Sequence, residues 1–206
     1  MEWADASCEV EVVIEGDVRF NEDFTDFAAI TPGGGVRISE RGGGVDRLLE
    51  IRPGSGGALS YSWRVSGREL PFDAEARAWL RGFVPELLRT SGIAAEERVA
   101  WLVRTEGPEG LLREIPLMRS DRAQRLYLEA WLGAGPHDPP DVARALEVAG
   151  AQLKSDRELA AVLLRVIDAG PVEGSLRDEF MSALGTIESD REYGRVASAL
   201  LRGTGG

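Results

Sequence analysis

Cysteine, histidine and lysine occur once each in these 206 residues, as Cys8, His137 and Lys154. A single cysteine excludes an intrachain disulfide. Cys8 and His137 together are too few ligands for a zinc site of the usual His/Cys kind, so no cofactor or metal is expected. His137 is the only side chain that could serve as an ordinary neutral-pH base, and it lies in Gly133-Ala134-Gly135-Pro136-His137-Asp138-Pro139-Pro140. That context predicts a surface histidine in a loop between helices. Cys8 has no basic neighbour in sequence to favour a thiolate and reads as a small apolar residue near the first strand.

Long hydrophobic runs are also missing. No stretch approaches the roughly 18 apolar residues of a membrane span. Residues 1–7 lack the basic, apolar, small-residue order of a secretory leader. The chain as written is expected in the cytoplasm, and outside it if the sequence is a piece of a membrane protein. Nor is there a basic patch. Acidic residues number 35 against 24 basic, for a net charge of −11, and 12 of the acids and 7 of the bases fall in residues 1–68. So even and negative a field repels a phosphate backbone and an anionic membrane alike, which argues against nucleic acid as a partner.

What is present is a repeat. Ser-Asp-Arg occurs at Ser120-Asp121-Arg122, Ser155-Asp156-Arg157 and Ser189-Asp190-Arg191, at spacings of 35 and 34 residues. A period in this range marks stacked supersecondary units that bury their apolar faces against one another. Counting seven, eight, eleven and twelve residues on from each serine gives Tyr127, Leu128, Trp131 and Leu132; Val162, Leu163, Val166 and Ile167; Val196, Ala197, Leu200 and Leu201. Serine suits a helix N-cap, and the aspartate after it suits the positive end of the helix dipole. Glu158 and Glu192, three residues beyond Ser155 and Ser189, predict reciprocal capping boxes. A second reading has the three Asp-Arg pairs lining one edge of the stack as a docking strip.

Two periods divide the chain. Residues 9–65 alternate: Val10, Val12 and Ile14 against Glu9, Glu11 and Val13; Leu59, Tyr61, Trp63 and Val65 against Ser60, Ser62 and Arg64. Val18 with Phe20, Val36 with Ile38, and residues 45–51 supply shorter runs, separated by Gly- and Pro-rich stretches. Five or six short antiparallel strands follow, with one apolar face that the helical half is expected to cover. From Asp73 the period becomes 3.6. Trp79, Leu80, Phe83, Val84, Leu87 and Leu88 predict a helix capped by Asp73, kinked at Pro85 and ended by Gly92. Further helices are expected over 96–104, 109–118 and onward. The predicted fold class is α+β: an antiparallel β region over residues 1–68, then a HEAT-like helical repeat region over 69–206 with units near 108–135, 139–170 and 174–203.

The stretch Phe24-Thr25-Asp26-Phe27-Ala28-Ala29-Ile30-Thr31-Pro32-Gly33-Gly34, with Val36-Arg37-Ile38 and Arg41-Gly42-Gly43 after it, resembles a segment that accompanies bacterial membrane zinc peptidases of the β-lactam-sensor, antirepressor-regulator type. Residues 63–73 match that group's W-x-V-x-G-x-E-x-P-F-D run, Trp79-Leu80 match the helix after it, and the Ser-Asp repeats match those that follow. The resemblance spans roughly residues 9–201. It implies an extracytoplasmic sheet-plus-helical-repeat region without the peptidase part, because the His-Glu-x-x-His zinc helix has no counterpart here.

No residue set forces a chemistry. Residues 21–26 cluster oxygen ligands but lack the order and central glycine of an EF-hand loop, and read as a solvated turn. The glycines of residues 31–35 precede a strand pattern, not a helix, so they read as a hairpin turn and not as a phosphate loop. Trp63, Trp79 and Trp131 fall on apolar stripes. The function expected is a non-enzymatic protein-binding or regulatory module with a protein partner. The alternatives are a hydrolase of sugars or phosphoesters that uses carboxylates alone, and a structural scaffold without a dedicated ligand.

Overall fold

The alternating runs form strands, and two periodicities become two architectures in a computed structural model of the protein. Residues 1–4 and 8–203 are described; residues 5–7, part of the start read above for a leader, and residues 204–206 lie outside the described residues. The strands are β1 (Glu2–Ala4), β2 (Cys8–Glu15), β3 (Val18–Phe20), β4 (Phe27–Ile30), β5 (Gly35–Gly42), β6 (Arg47–Pro53), β7 (Leu59–Val65) and β8 (Arg68–Leu70). Six of them make one sheet in the order β1-β2-β5-β6-β7-β8, and β3 pairs separately with β4. Every pairing is antiparallel.

Register explains the buried face. Val12 lies opposite Ile38, Ile38 opposite Leu49, and Leu49 opposite Trp63, so one row crosses four strands and all four side chains are buried. The alternate residues Val13, Arg37 and Arg64 point to the other face and are exposed. Helix α1 (Ala74–Ser91) opens on Asp73, whose carboxylate accepts from the backbone N–H of Glu75 at 3.0 Å and of Ala76 at 3.2 Å. Its first turns supply the cover. Trp79 packs on Trp63 and on Phe83 with ring centroids 4.8 and 5.1 Å apart, and Trp3 stacks on Phe83. The β3–β4 pair adds Phe27 and Ile30, with β4 against β6 and β7.

The chain divides into two compact units, Met1–Glu86 and Leu87–Gly206, and the break falls inside α1. The α-helix continues across Pro85 to Ser91. Gly92 ends it in the left-handed region, at φ +70°, with its N–H on the Leu88 carbonyl. The positive φ favours glycine there, and an added Cβ would also press on Leu126 Cδ1 at 2.7 Å, which that side chain could relieve by shifting.

The second unit holds α2 (Ala95–Glu106), α3 (Pro108–Glu114), α4 (Asp121–Gly133), α5 (Pro139–Gln152), α6 (Asp156–Ala169), α7 (Gly174–Leu184) and α8 (Asp190–Gly203). Two rows form: α2, α4, α6 and α8 neighbour one another in succession, as do α3, α5 and α7. The expected helix over 109–118 stops earlier. Pro116 offers no N–H and crowds the carbonyl four residues before it, so residues 115–117 tighten into a 3-10 turn. Leu111, Leu128, Leu146, Leu163 and Phe180 lie in one continuous buried core that runs through the rows. The fold is α+β, with an N-terminal antiparallel sheet followed by stacked helices.

Candidate functional site

The triplicated serine sits where helices begin. Ser120 Oγ accepts from the Ala123 N–H at 3.3 Å, Ser155 Oγ from Glu158 at 3.5 Å, and Ser189 Oγ from Glu192 at 3.4 Å. The expected capping boxes do not form. In a capping box Glu158 would return to the Ser155 backbone N–H. Instead that N–H goes to Asp121 of the preceding repeat, at 2.5 Å, and Asp121 also accepts from the Lys154 N–H at 2.7 Å. One repeat further, the Ser189 N–H reaches Asp156 at 2.7 Å. Glu158 is drawn off by Arg125, which also holds Glu129, and Glu192 pairs with Arg195 at 2.9 Å.

Serine therefore caps its own helix, while aspartate locks the first turn of the next unit. Two of the three Asp-Arg pairs have their carboxylates occupied in this way and are not a bare docking strip. The third is different: among the described residues Asp190 accepts no such bond, and its side chain is exposed.

The stripe twelve residues beyond each serine follows the same gradient. Leu132 is buried, Ile167 is half-buried, and Leu201 is 74% exposed. Met181 and Tyr193 are exposed on the same terminal pair of helices. Among the described residues no further unit follows α8, so the polar lock and the apolar stripe of this last helix pair meet no successor there.

At its opposite end the array carries a buried ion cluster. Arg89 grips Glu114 through two hydrogen bonds of 3.0 Å, and Arg98 adds a third of 2.5 Å. Burial alone would raise the Glu114 carboxyl, but the hydrogen bonds and charges of Arg89 and Arg98 outweigh it and hold the carboxyl below its ordinary value. A carboxylate saturated by two guanidiniums is a poor proton acceptor, so the cluster suits a structural lock and not acid–base work. Nearby, burial pushes the Tyr127 hydroxyl far above its ordinary value.

His137 departs from the expected surface histidine. It lies in the α4–α5 connection, but its ring is half-buried against Trp131, 4.1 Å between centroids. Its Nε2 lies 2.6 Å from the Trp131 carbonyl. A carbonyl only accepts, so Nε2 is the protonated nitrogen. His137 borders a cavity of about 190 Å³ between the Gly135-Pro136 and Gly170-Pro171 turns, floored by Leu132, Val142, Val166 and Leu176.

Cys8 begins β2 and is half-buried. Residues 21–26 form the turn between β3 and β4, organised by Asn21 Oδ1, which accepts from the N–H groups of Thr25 and Asp26. Burial raises the Asp26 carboxyl, an effect that Asp23 reinforces and the Phe27 N–H, Arg77 and Arg81 oppose. Residues 31–35 lead into β5, but the expected hairpin does not form: β4 pairs with β3 and β5 with β2 and β6, so the segment is a crossing between two sheets. Trp63 and Trp131 are core residues, and Trp79 is half-buried. No helix among the described residues is long and apolar enough to cross a membrane. Comparison with protein families, curated proteins and solved structures finds no match to this chain.

Proposed function

We propose that this chain is a non-enzymatic protein-binding module whose recognition surface is the α7–α8 end of the helical array. The observation that carries this reading is the gradient along the repeats. Two aspartates lock the start of the following unit and the third, Asp190, presents the same carboxylate outward on α8, the helix that also carries the exposed Tyr193 and, toward its far end, Leu201, with Met181 exposed on α7. Such a face combines an apolar strip with one directional acceptor, the chemistry needed to seat the first turn of a partner helix. Its N–H groups would meet Asp190 while its apolar side would cover Leu201.

Exposed apolar side chains gathered on one end of a repeat array are a liability unless something covers them. The resemblance to regions accompanying bacterial membrane peptidases supports a partner drawn from a signalling system of that kind.

The test is retention of a defined partner, taken first from genes adjacent to this one. Binding that is lost in Asp190→Arg and in Leu201→Glu, but kept in Arg19→Gln, supports the reading. Failure of every candidate, or binding indifferent to both end-face changes, sinks it. The carboxylate-only hydrolase is tested separately with chromogenic glycosides and phosphoesters. Turnover abolished by one Asp or Glu substitution would replace the binding reading with that one.

A further inference from the structure

The outward face of the six-stranded sheet is patterned by register. Arg37, Ser39 and Arg41 follow one another at two-residue steps on β5, so all three point to the same side. Leu48 stands opposite Ser39, and Arg64 stands opposite Leu48 one strand further on. The result is a concavity of about 340 Å³ near the β5–β6 turn, bordered by Arg37, Arg41, Arg47 and Arg64 with Ser39 among them. In a chain with net charge −11, four arginines around one hollow are unexpected.

Two of the four are tethered. Arg37 pairs with Glu50 at 3.3 Å, and Arg47 pairs at 2.6 Å with Glu40, which also accepts from Trp79 Nε1. Arg41 and Arg64 form no ion pair or side-chain hydrogen bond among the described residues, although Glu9 and Glu69 face them in register. Ser39 lies among the arginines, 8% exposed overall, and its hydroxyl forms no hydrogen bond among the described residues and is open to solvent. The single opposing charge on the rim without an ion pair is Asp46.

We propose that this concavity binds a small phosphate monoester, with the Arg41 and Arg64 guanidiniums and the Ser39 hydroxyl as its donors. Arginine presents a rigid fork of N–H donors that suits oxyanions. Two forks and a hydroxyl need more than two acceptor oxygens at once. A tetrahedral phosphate supplies three, whereas a single carboxylate supplies two. With Arg37 tethered by Glu50 and Arg47 by Glu40, the lining charges left over are Arg41 and Arg64 against Asp46, an excess that favours an anion. The hollow also has room for a short organic group beyond the phosphate. This site is independent of the end-face reading, since none of its residues lies in the helical array.

Calorimetric titration of the full chain with phenyl phosphate tests the proposal, with succinate as the carboxylate comparison. Saturable 1:1 binding is expected, with a dissociation constant on the order of a millimolar or tighter. The double variant Arg41→Gln/Arg64→Gln should weaken it at least about tenfold, and Ser39→Ala by about threefold. Asp46→Asn should tighten binding by removing the rim charge, a gain that loss of folding cannot imitate. Arg19→Gln, on β3 and away from the hollow, should bind as the parent does. No saturable binding by about 10 mM overturns the proposal, as does undiminished binding by the double variant or succinate binding as tight as phenyl phosphate.

Discussion

The two units place their polar groups in opposite ways. In the sheet unit, ionic groups stand on the outward face in cross-strand pairs such as Arg37–Glu50 and Arg52–Glu15, which solvent reaches freely. In the helical unit, beside exposed pairs such as Arg144–Glu147, three carboxylates have structural tasks: Glu114 is buried and clamped by two arginines, and the half-buried Asp121 and Asp156 hold backbone N–H groups of the next repeat. Exposed pairs contribute little stability and remain available to a ligand. Buried, hydrogen-bonded ones fix geometry and are costly to break. The sheet can therefore offer its charge to something else, while the helices spend theirs on being an ordered stack.

The sharpest way to break this contrast is Glu114→Gln, which leaves Arg89 and Arg98 beside a neutral amide. Destabilisation of the helical unit by about 3 kcal/mol is expected from chemical unfolding followed by far-ultraviolet circular dichroism. A loss no larger than that of a surface pair would mean the cluster is not the lock described. Next in size is Asp156→Asn, which weakens the acceptor of the Ser189 N–H and should cost about 1.5 kcal/mol. Asp190→Asn changes the same residue type at the same helix position and should cost only about 0.3 kcal/mol. Equal losses at the two sites would dissolve the distinction between a locking and an unlocked aspartate. Ser155→Ala, which removes a cap within one repeat, should cost about 1 kcal/mol in the same measurement.

Acidification sharpens the comparison further, because the two units carry shifts of opposite sign. The Glu114 carboxyl lies below its ordinary value of 4.5 in the folded protein, so its contribution is present above that value and is lost as pH falls through the folded one. Asp26 is raised above its ordinary 3.8, so its contribution is complete below 3.8 and is lost as pH rises through the higher folded value. Hydrogen exchange between about pH 3 and pH 6 should show protection of the helices falling toward the acid end and protection of the β3–β4 turn falling toward the upper end. The reverse pattern would contradict both shifts. Arg37→Gln, like Asp190→Asn, is expected to change stability by less than about 0.5 kcal/mol, since both partners in its ion pair are solvent-accessible.

Much of the fold was legible from periodicity. Alternation located β2, β5, β6 and β7, and the 34–35-residue repeat located the capped starts of α4, α6 and α8. The short strands β1, β4 and β8 escaped because three or four residues are too few to display a period of two. The two apparent capping boxes were misread for a related reason. A local motif such as Ser-x-x-Glu carries no information about a competitor 34 residues away, and Asp121 and Asp156 are such competitors. The Glu114 cluster joins residues 16 and 25 positions apart on three different helices, a relation that no local pattern encodes. The arginine hollow was hidden differently. Arg41 and Arg64 read singly as ordinary solvated strand residues, and only the pairing of β5, β6 and β7 makes them neighbours.

The reach of Asp121 and Asp156 gives the stack a direction. The starts of α6 and α8 are each fastened by the aspartate of the unit before. A lesion early in the chain should thus loosen everything downstream, whereas trimming from α8 inward should peel away one hairpin at a time and leave the remainder anchored. By the same logic a duplicated hairpin of 34 or 35 residues could be spliced in without disturbing the register, while an insertion of a few residues between Asp121 and Ser155 would uncouple the two halves of the array.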